Sequence, residues 1–373
     1  MASMGITFVK GAEELKMKIV KVSATQPKTP HDPDDWRTWL GQILVSVETE
    51  DGMTGHGVGG GGEAGIHVIE TALSRLLNGA DATPVEKLWE EMYRSTQAYG
   101  RKGLVVMAIS GVDLALWDLR GKREGKALAQ ILSETKRNNL HQVSNGKIGK
   151  SIRCYKTGFS ADEVISHGAQ GFSALKLHAG INATQTVGDI VGSIRKARAA
   201  LGPDIRLMAD AGMKLDLDAT LRIAEQLEDC NLSWIEEPLA PEDLEGYARL
   251  RDECPIPIAG GEHEYTAAAF EILMRERLHA IVQPDVTWCG GMTELVKIYN
   301  LGQKYGIDVC PHRGSEIWSL HAISSLDPNP LAESGRPWID WVKGQPEIQN
   351  GEITIGDRPG FGVWFDQEGL ATC

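Results

Sequence analysis

The sequence contains no long apolar segment. Charged residues or glycines interrupt its leucine-, isoleucine- and valine-bearing stretches, so none approaches the ~20 apolar residues of a membrane-spanning helix. The first twenty residues carry charges where a secretory signal needs ~7–15 uninterrupted apolar residues. We therefore expect a soluble protein without an export signal.

Cysteine is scarce, and its six copies form no C-x-x-C pair. They are Cys154, Cys230, Cys254, Cys289, Cys310 and Cys373. A disulfide framework or a zinc ribbon would need regularly spaced or closely paired cysteines. This usage favours the reducing cytoplasm.

Positive charge is also in deficit. The chain has 38 Lys and Arg against 51 Asp and Glu, a net charge of -13. Such a chain repels polyanions, which argues against nucleic acid or an anionic membrane as the main partner. A small molecule is the expected partner, and an anionic one must be held by local positive charge.

The length of 373 residues allows about two domains. Residues 41–49 predict a strand that turns at 50–52 into a returning glycine-rich strand, and helical patterns follow at 64–78, 84–97 and 103–120. We assign residues 1–135 to an N-terminal α+β capping domain.

From residue 151 the pattern changes to eight short apolar runs that alternate with amphipathic helices. The runs are 151–158, 172–179, 205–211, 232–238, 255–262, 279–285, 307–313 and 330–334. Eight successive βα units predict a (β/α)8-type barrel, which we place at 136–340. The glycine- and proline-rich segment 341–373 is expected to return to the capping domain and complete it.

Polar residues collect at the carboxyl ends of these runs, which form one rim of a barrel, the face where such barrels carry their active sites. Asp210, Glu236 and Glu262 occupy three successive ends, 26 residues apart. Three crowded carboxylates repel one another unless a cation joins them, and oxygen ligands with open positions suit Mg²⁺. The alternative for each is a helix cap or an ion pair with a lysine.

Asp285 and His312 lie at the carboxyl ends of the next two runs and predict a dyad. A carboxylate on one imidazole nitrogen fixes the tautomer and raises the basicity of the other nitrogen, which can then take a proton from carbon. The alternative is a structural histidine at a helix start.

Further candidates lie on the same rim. Lys176 and His178 are two residues apart on one strand and so point the same way, and Lys176 brings positive charge to the pocket. Glu333 is expected to accept a hydrogen bond from substrate or lysine, or to be structural. Glu237 alternates with Glu236, so we expect it to face outward towards the helices and to form a salt bridge or hydrogen bond there instead of binding the metal.

A glycine-rich stretch at 55–60 literally matches the dinucleotide pattern G-x-G-x-x-G. That pattern requires a following helix and then a parallel strand, whereas a helix-rich unit follows here. A mobile loop covering the pocket is the favoured interpretation, and we predict no nucleotide cofactor.

These features resemble the mandelate racemase-like subgroup of the enolase superfamily over roughly residues 17–365. The matching motifs are GLVVMAISGVDLALWDLRGK (103–122), Gly261-Glu262-His263, QPDVTWCGGMTE (283–294), Pro311-His312 and the 359–363 segment. They look most like rhamnonate dehydratases and related acid-sugar dehydratases of carbohydrate catabolism.

The resemblance implies that Asp210, Glu236 and Glu262 bind Mg²⁺ and that His312, paired with Asp285, takes the proton alpha to a carboxylate. Loss of the 3-hydroxyl then yields a 2-keto-3-deoxy acid, with Lys176 and Glu333 assisting. It further implies a homo-oligomer and an early loop over the pocket, from which we expect His31, Trp36 and Arg37 to contact the substrate.

Three positions depart from the family pattern. His178 stands where many relatives have lysine, Gly212 where they have asparagine, and Arg313 where rhamnonate dehydratases commonly have glycine. His178 is a second base, an acid or a substrate contact, and Arg313 forks onto a substrate carboxylate or points away.

Two rival functions remain: a racemase or epimerase that uses two bases, and a non-catalytic binding barrel.

Overall fold

The computed structural model describes residues 17–27, 41–139, 151–179, 185–334 and 341–365, with side chains omitted for 135–139. Within these ranges, no helix is both long and apolar enough to cross a bilayer.

The N-terminal unit is a three-stranded antiparallel sheet packed on helices. Its strands are β1 (Ile19–Thr25), β2 (Ile43–Thr49) and β3 (Thr54–Gly59), in the order β1-β2-β3. Its helices are α1 (Gly62–Val68), which continues through a π-helical turn (Ile69–Leu73) into α2 (Ser74–Leu77), then α3 (Val85–Thr96), α4 (Leu104–Glu124) and α5 (Leu128–Asn139). Sequence patterns did not predict α5.

The glycines of β3 serve packing and not ligand binding. A Cβ on Gly55 would lie 2.1 Å from the carbonyl oxygen of Ala115, and one on Gly57 would lie 2.2 Å from that of Gly111. Only glycine lets the strand approach the α4 backbone so closely. The expected mobile covering loop is therefore wrong for 55–59, because the alternating glycines form one face of a buried strand.

The second unit is a sheet of eight parallel strands with helices between them. Its strands are β4 (Ser151–Gly158), β5 (Ala174–His178), β6 (Arg206–Asp210), β7 (Leu232–Glu236), β8 (Ile258–Gly260), β9 (Ile281–Val282), β10 (Asp308–Val309) and β11 (Leu331–Glu333). Its helices are α6 (Ala161–Gly168), α7 (Val187–Leu201), α8 (Leu217–Gln226), α9 (Leu244–Glu253), α10 (Thr266–Arg275), α11 (Gly291–Tyr305) and α12 (Ile317–Leu326).

The ladder runs from β4 through β10 in sequence order, and β11 pairs with β4 on the other side. Between β10 and β11 the Cys310 thiol donates to the Leu331 carbonyl oxygen at 3.6 Å. A buried cluster at the centre takes one residue from each strand or its immediate end: Tyr155, Ala174, Met208, Trp234, Ala259, Ile281, Cys310 and Leu331. This shared core is the packing expected of a (β/α)8-type barrel.

Helix α4 fixes the barrel loop that follows β9. The Ser110 hydroxyl accepts from Gly290 N at 2.9 Å, and the Asp113 carboxylate accepts from Thr293 N at 2.9 Å, at the start of α11. Burial raises the pKa of Asp113 to about 8, although its hydrogen bonds with Thr293 act in the opposite direction. The capping unit thus supplies the N-terminal partners of a barrel helix.

The C-terminal segment returns to both units. It carries β12 (Val342–Lys343), β13 (Glu352–Thr354) and β14 (Trp364–Phe365), and β13 pairs antiparallel with β4. Phe361 N donates to Asp118 of α4 at 3.0 Å, and Leu128 N of α5 donates to the carbonyl oxygen of Gly360 at 3.1 Å. This agrees with the predicted architecture of a barrel and a cap that the C-terminal segment completes.

Candidate active site

The polar residues predicted for the rim lie at or just beyond the carboxyl ends of the parallel strands. His178, Asp210, Glu236 and Glu333 are the last residues of their strands, and Glu262, Asp285 and His312 follow β8, β9 and β10 by two to three residues. Because parallel strands end on one face of the barrel, side chains far apart in sequence converge there.

Lys176 lies at the centre of three carboxylates. Its Nζ is 2.6 Å from Glu236 Oε1, 3.1 Å from Asp210 Oδ2 and 3.1 Å from Glu333 Oε1, and the side chain is 2% exposed. Burial opposes its charge, but the carboxylates of Glu236 and Glu333 raise the pKa of Lys176 well above its ordinary value. Lys176 therefore provides local positive charge in a protein whose overall charge is negative.

Burial and mutual repulsion act on the acidic residues around Lys176. Burial raises the pKa of Glu236 well above its ordinary value; the Lys176 charge opposes this, and those of Asp210 and Glu333 add to it. For Asp210, burial also favours the neutral form, but Lys176 and His178 lower its pKa overall. The carboxylates around Lys176 carry more negative charge than its one ammonium balances. A bound cation would reduce the repulsion between them.

Asp285 and His312 form the predicted hydrogen-bonded pair. His312 Nδ1 lies 2.9 Å from Asp285 Oδ2, both side chains are buried, and Nε2 lies 3.1 Å from Glu262 Oε2 and 3.9 Å from Glu333 Oε2. Burial disfavours the Asp285 carboxylate, yet Arg313 and His312 hold its pKa well below its usual range. An ionised carboxylate only accepts, so Nδ1 carries a proton.

Arg313 takes the second of the two orientations considered for it. Its Nε and Nη2 donate to Asp285 at 2.9 and 3.1 Å, and the residue is 2% exposed. The expected fork onto a substrate carboxylate is therefore replaced by a fork onto a protein carboxylate, because Asp285 offers a buried partner within reach.

Glu237 does not face outward as predicted. Its oxygens accept from Gly261 N at 3.0 Å and contact His263 Nδ1 at 2.7 Å. The left-handed backbone at Glu237 (φ 34°) ends the strand alternation on which the prediction relied and turns the side chain along the rim. Burial disfavours the charged ring, but Glu237 and Glu262 raise the pKa of His263 to about 9.

Two sets of residues have donor chemistry for a metal. In the part of the chain that the structure describes, one set of three metal-capable atoms lies within 4.8 Å of one another: Glu237, Glu262 and His263. The predicted trio of Asp210, Glu236 and Glu262 does not meet that spacing, with Asp210 and Glu236 drawn onto Lys176. Three carboxylates on successive strand ends still form the all-oxygen set that suits Mg²⁺.

His178 lies at the edge of this group. Its Nε2 is 3.8 Å from Asp210 Oδ2, and its ring stacks on Phe159 with centroids 5.7 Å apart. Its Nδ1 is buried and has no hydrogen-bond partner among the described residues.

Sequence reasoning missed four residues that hold the acidic side chains in place. Trp234 Nε1 and Gln283 Nε2 donate to Glu236 Oε2, Thr157 Oγ1 donates to Glu333 Oε1, and His263 contacts Glu237. Thr157 is the penultimate residue of β4 and Gln283 directly follows β9, so their position near the rim is the signal that could have identified them. His31, Trp36 and Arg37 lie outside the described residues.

Comparison with known proteins identifies the class to which this fold and rim belong. Residues 38–133 match the mandelate racemase/muconate lactonizing enzyme N-terminal domain, and residues 160–369 match the enolase C-terminal domain-like family. The chain belongs to the enolase superfamily, in its mandelate racemase/muconate lactonizing enzyme group.

Among curated relatives, the chain is similar to L-rhamnonate dehydratase of Saccharopolyspora erythraea. The two are 36% identical over 341 residues, which cover 88% of this chain and 84% of the relative. This agrees with the predicted resemblance and with the predicted enzyme class of hydro-lyase.

Solved structures of similar proteins have the same architecture. Rhamnonate dehydratase from Gibberella zeae, complexed with Mg, aligns with a TM-score of 0.82 at 30% identity, covering 97% of this chain and 96% of that one. A racemase from Streptomyces coelicolor A3(2) with bound magnesium aligns with a TM-score of 0.81 at 29% identity, covering 94% and 98%. Both contain the metal that the sequence predicts.

Proposed function

We propose that this chain is a Mg²⁺-dependent dehydratase of a sugar acid, an aldonate or aldarate, that forms a 2-keto-3-deoxy acid. The observation that carries the proposal is the Asp285–His312 pair, whose Nε2 faces Glu262 on the rim where Lys176 meets Asp210 and Glu236. The similarity to rhamnonate dehydratases supports the same reaction.

Asp210, Glu236 and Glu262 are the residues we assign to Mg²⁺. Bound there, the ion would supply positive charge to the substrate carboxylate and to the enediolate that forms from it. The ammonium of Lys176 supplies further positive charge from the protein and stays protonated because carboxylates surround it.

His312 is the proposed base. Asp285 keeps the proton on Nδ1, which leaves Nε2 to accept the proton from the substrate carbon next to the carboxylate. A proton is then donated to the 3-hydroxyl, the bond between C3 and this oxygen breaks, water leaves, and the resulting enol becomes the keto acid. For a substrate whose α-proton and 3-hydroxyl share a face, we propose that His312 donates this proton. For the other geometry, we propose His178 or Lys176 as the donor.

A racemase or epimerase of a 2-hydroxy acid is the second candidate. His178 favours it, because a two-base reaction requires a second proton-transfer group, and this imidazole lies on the same rim with its Nδ1 unpartnered among the described residues. The magnesium-bound racemase among the similar structures also supports it.

A panel of aldonic and aldaric acids that includes L-rhamnonate tests both candidates. Each acid is incubated with the enzyme and Mg²⁺ in D₂O and assayed for 2-keto acid and for deuterium at the α-carbon. Keto acid supports dehydration, whereas a deuterated epimer without keto acid supports racemisation. Inactivity across the panel favours a non-catalytic barrel.

The matched control is His312→Asn, which keeps size and polarity but has no basic nitrogen. It should abolish α-proton exchange while Mg²⁺ binding persists. Retained exchange in that variant would refute His312 as the base.

A further inference from the structure

Arg313 has a backbone conformation that an arginine rarely adopts. Its φ is 53°, in the left-handed region that favours glycine, and its side chain is 2% exposed. A charged, strained and buried residue costs conformational and desolvation free energy, so its contacts have to compensate.

The hydrogen bonds of the guanidinium converge on Asp285, the residue that orients His312, and on Thr287. The backbone N of Arg313 donates to Glu333 Oε2 at 2.9 Å, and its Nε lies 3.8 Å from Glu316 Oε1. Arg313 Nε donates to Asp285 Oδ2 at 2.9 Å, and Nη2 donates to Oδ1 at 3.1 Å and also to Thr287 Oγ1. The Thr287 hydroxyl in turn donates to Asp285 Oδ1 at 2.7 Å, and Thr287 N donates to the same oxygen at 2.8 Å.

Both oxygens of Asp285 therefore have fixed partners. Oδ2 accepts from His312 Nδ1 and Arg313 Nε and lies 2.9 Å from Arg313 Nη2, while Oδ1 accepts from Thr287 and, at 3.1 Å, from Arg313 Nη2. A planar guanidinium that bonds both oxygens prevents rotation of the carboxylate, which a point charge such as a lysine ammonium does not do.

We propose that Arg313 is a positioning residue that fixes the plane of the Asp285 carboxylate and so keeps the His312 ring in the Nδ1–H tautomer. The inference rests on the proposed role of His312 as base. In this chain, the base is aligned by a carboxylate that a bidentate arginine holds still.

Three substitutions separate the effect of the two-point guanidinium hydrogen bonding from the effects of charge and of backbone strain. Arg313→Met keeps length and removes charge, Arg313→Lys keeps charge without the fork, and Arg313→Gly relieves the left-handed backbone. The matched control is Arg277→Gly, because Arg277 is an exposed arginine with φ 52° that bonds the Tyr305 carbonyl oxygen.

The primary measurement is the tautomer of His312 and needs no substrate. In enzyme labelled with ¹⁵N-histidine, the His312 signals are identified by their loss in His312→Asn and recorded at a pH where the ring is neutral. The parent and Arg277→Gly should show a protonated Nδ1 and an unprotonated Nε2. Arg313→Met and Arg313→Gly should show signals averaged between the two tautomers.

The second measurement is kinetic, once a substrate is known. Removing Arg313 should lower kcat by about 10- to 100-fold, the usual effect of losing the partner that orients a reacting group, with little change in KM. Arg313→Lys should recover only part of that loss.

The outcomes separate the two proposals. An unchanged tautomer in Arg313→Met and Arg313→Gly overturns the role of Arg313 whatever the activity. A shifted tautomer in an enzyme that shows no α-proton exchange on any sugar acid supports Arg313 as a positioning residue and counts against the proposed function.

Discussion

The ring of His178 lies against Gly212. A Cβ on Gly212 would be 3.0 Å from His178 Cε1, tighter than an ordinary contact, and the ring also stacks on Phe159. The two departures from the family pattern, histidine for lysine and glycine for asparagine, are thus one steric arrangement, because the absence of a side chain at 212 makes room for the imidazole.

Substitution Gly212→Asn should displace His178 from this place. Gly212 has φ 53°, which asparagine tolerates, so crowding and not backbone strain dominates the effect. We expect about a tenfold rise in KM for the best substrate in steady-state kinetics, the order of one lost polar contact of ~1.4 kcal/mol.

Two controls test whether the effect passes through His178. Gly306→Asn introduces asparagine at φ 65° with open space around the new Cβ and should have no effect on KM. In a His178→Ala background, Gly212→Asn should add little. An equal loss with and without His178 would show that the two positions act independently.

Lys176 is expected to stabilise the protein most when no divalent cation is bound. Its replacement by methionine leaves Asp210, Glu236 and Glu333 without their shared ammonium, and removing one partner of a buried ion pair costs about 3–5 kcal/mol. Urea unfolding should show that loss in the absence of metal and a larger gain on adding Mg²⁺ than the parent shows.

The control is Lys196→Met, which removes an exposed ion pair with Asp162 and should change stability little. If Lys176→Met without metal is as stable as the parent, the three carboxylates do not repel as their geometry indicates.

His321 makes the junction of cap, barrel and C-terminal segment sensitive to acid. Its Nδ1 accepts from Ala129 N at 3.1 Å and its Nε2 faces the Phe361 carbonyl oxygen at 3.3 Å, so the neutral ring satisfies both partners. Burial lowers the pKa of His321 to about 4, from 6.5 in its ordinary state.

The stabilisation from the neutral His321 is complete above pH 6.5 and is lost as pH falls towards 4, because the unfolded chain takes up the proton first. The contribution is about 2 kcal/mol between pH 7 and pH 5. The difference in unfolding free energy between pH 7 and pH 5 should be about 2 kcal/mol larger in the parent than in His321→Gln. Equal pH dependence in both would contradict the buried neutral histidine.

The sequence predicts which residues reach the rim because each side chain there sits at a fixed place relative to its strand. Asp210, Glu236, Asp285 and His312 follow from strand position alone. The prediction fails where the backbone leaves the strand: Glu237 has positive φ, so alternation no longer sets its direction, and Arg313, also with positive φ, had two directions left open.

Partners across the barrel are the second kind of information that the sequence does not carry. The contact of Lys176 with Glu333 joins residues 157 positions apart, and the Thr157–Glu333 hydrogen bond joins residues 176 apart. The prediction of a mobile loop at the β3 glycines fails for the same reason, because these glycines pack against α4, a helix about fifty residues later in the chain. Such pairings depend on tertiary packing, which local pattern does not specify.

A calorimetric Mg²⁺ titration of Glu236→Gln and Glu237→Gln decides which set of residues binds the metal. The two residues are adjacent: the first belongs to the proposed trio with Asp210 and Glu262, the second to the compact set with Glu262 and His263. We expect Glu236→Gln to lower Mg²⁺ affinity by more than ~100-fold and Glu237→Gln to lower it by only about tenfold, the lower end of the range for a residue that supports the ligands. Full affinity in Glu236→Gln together with lost affinity in Glu237→Gln would contradict the proposed trio.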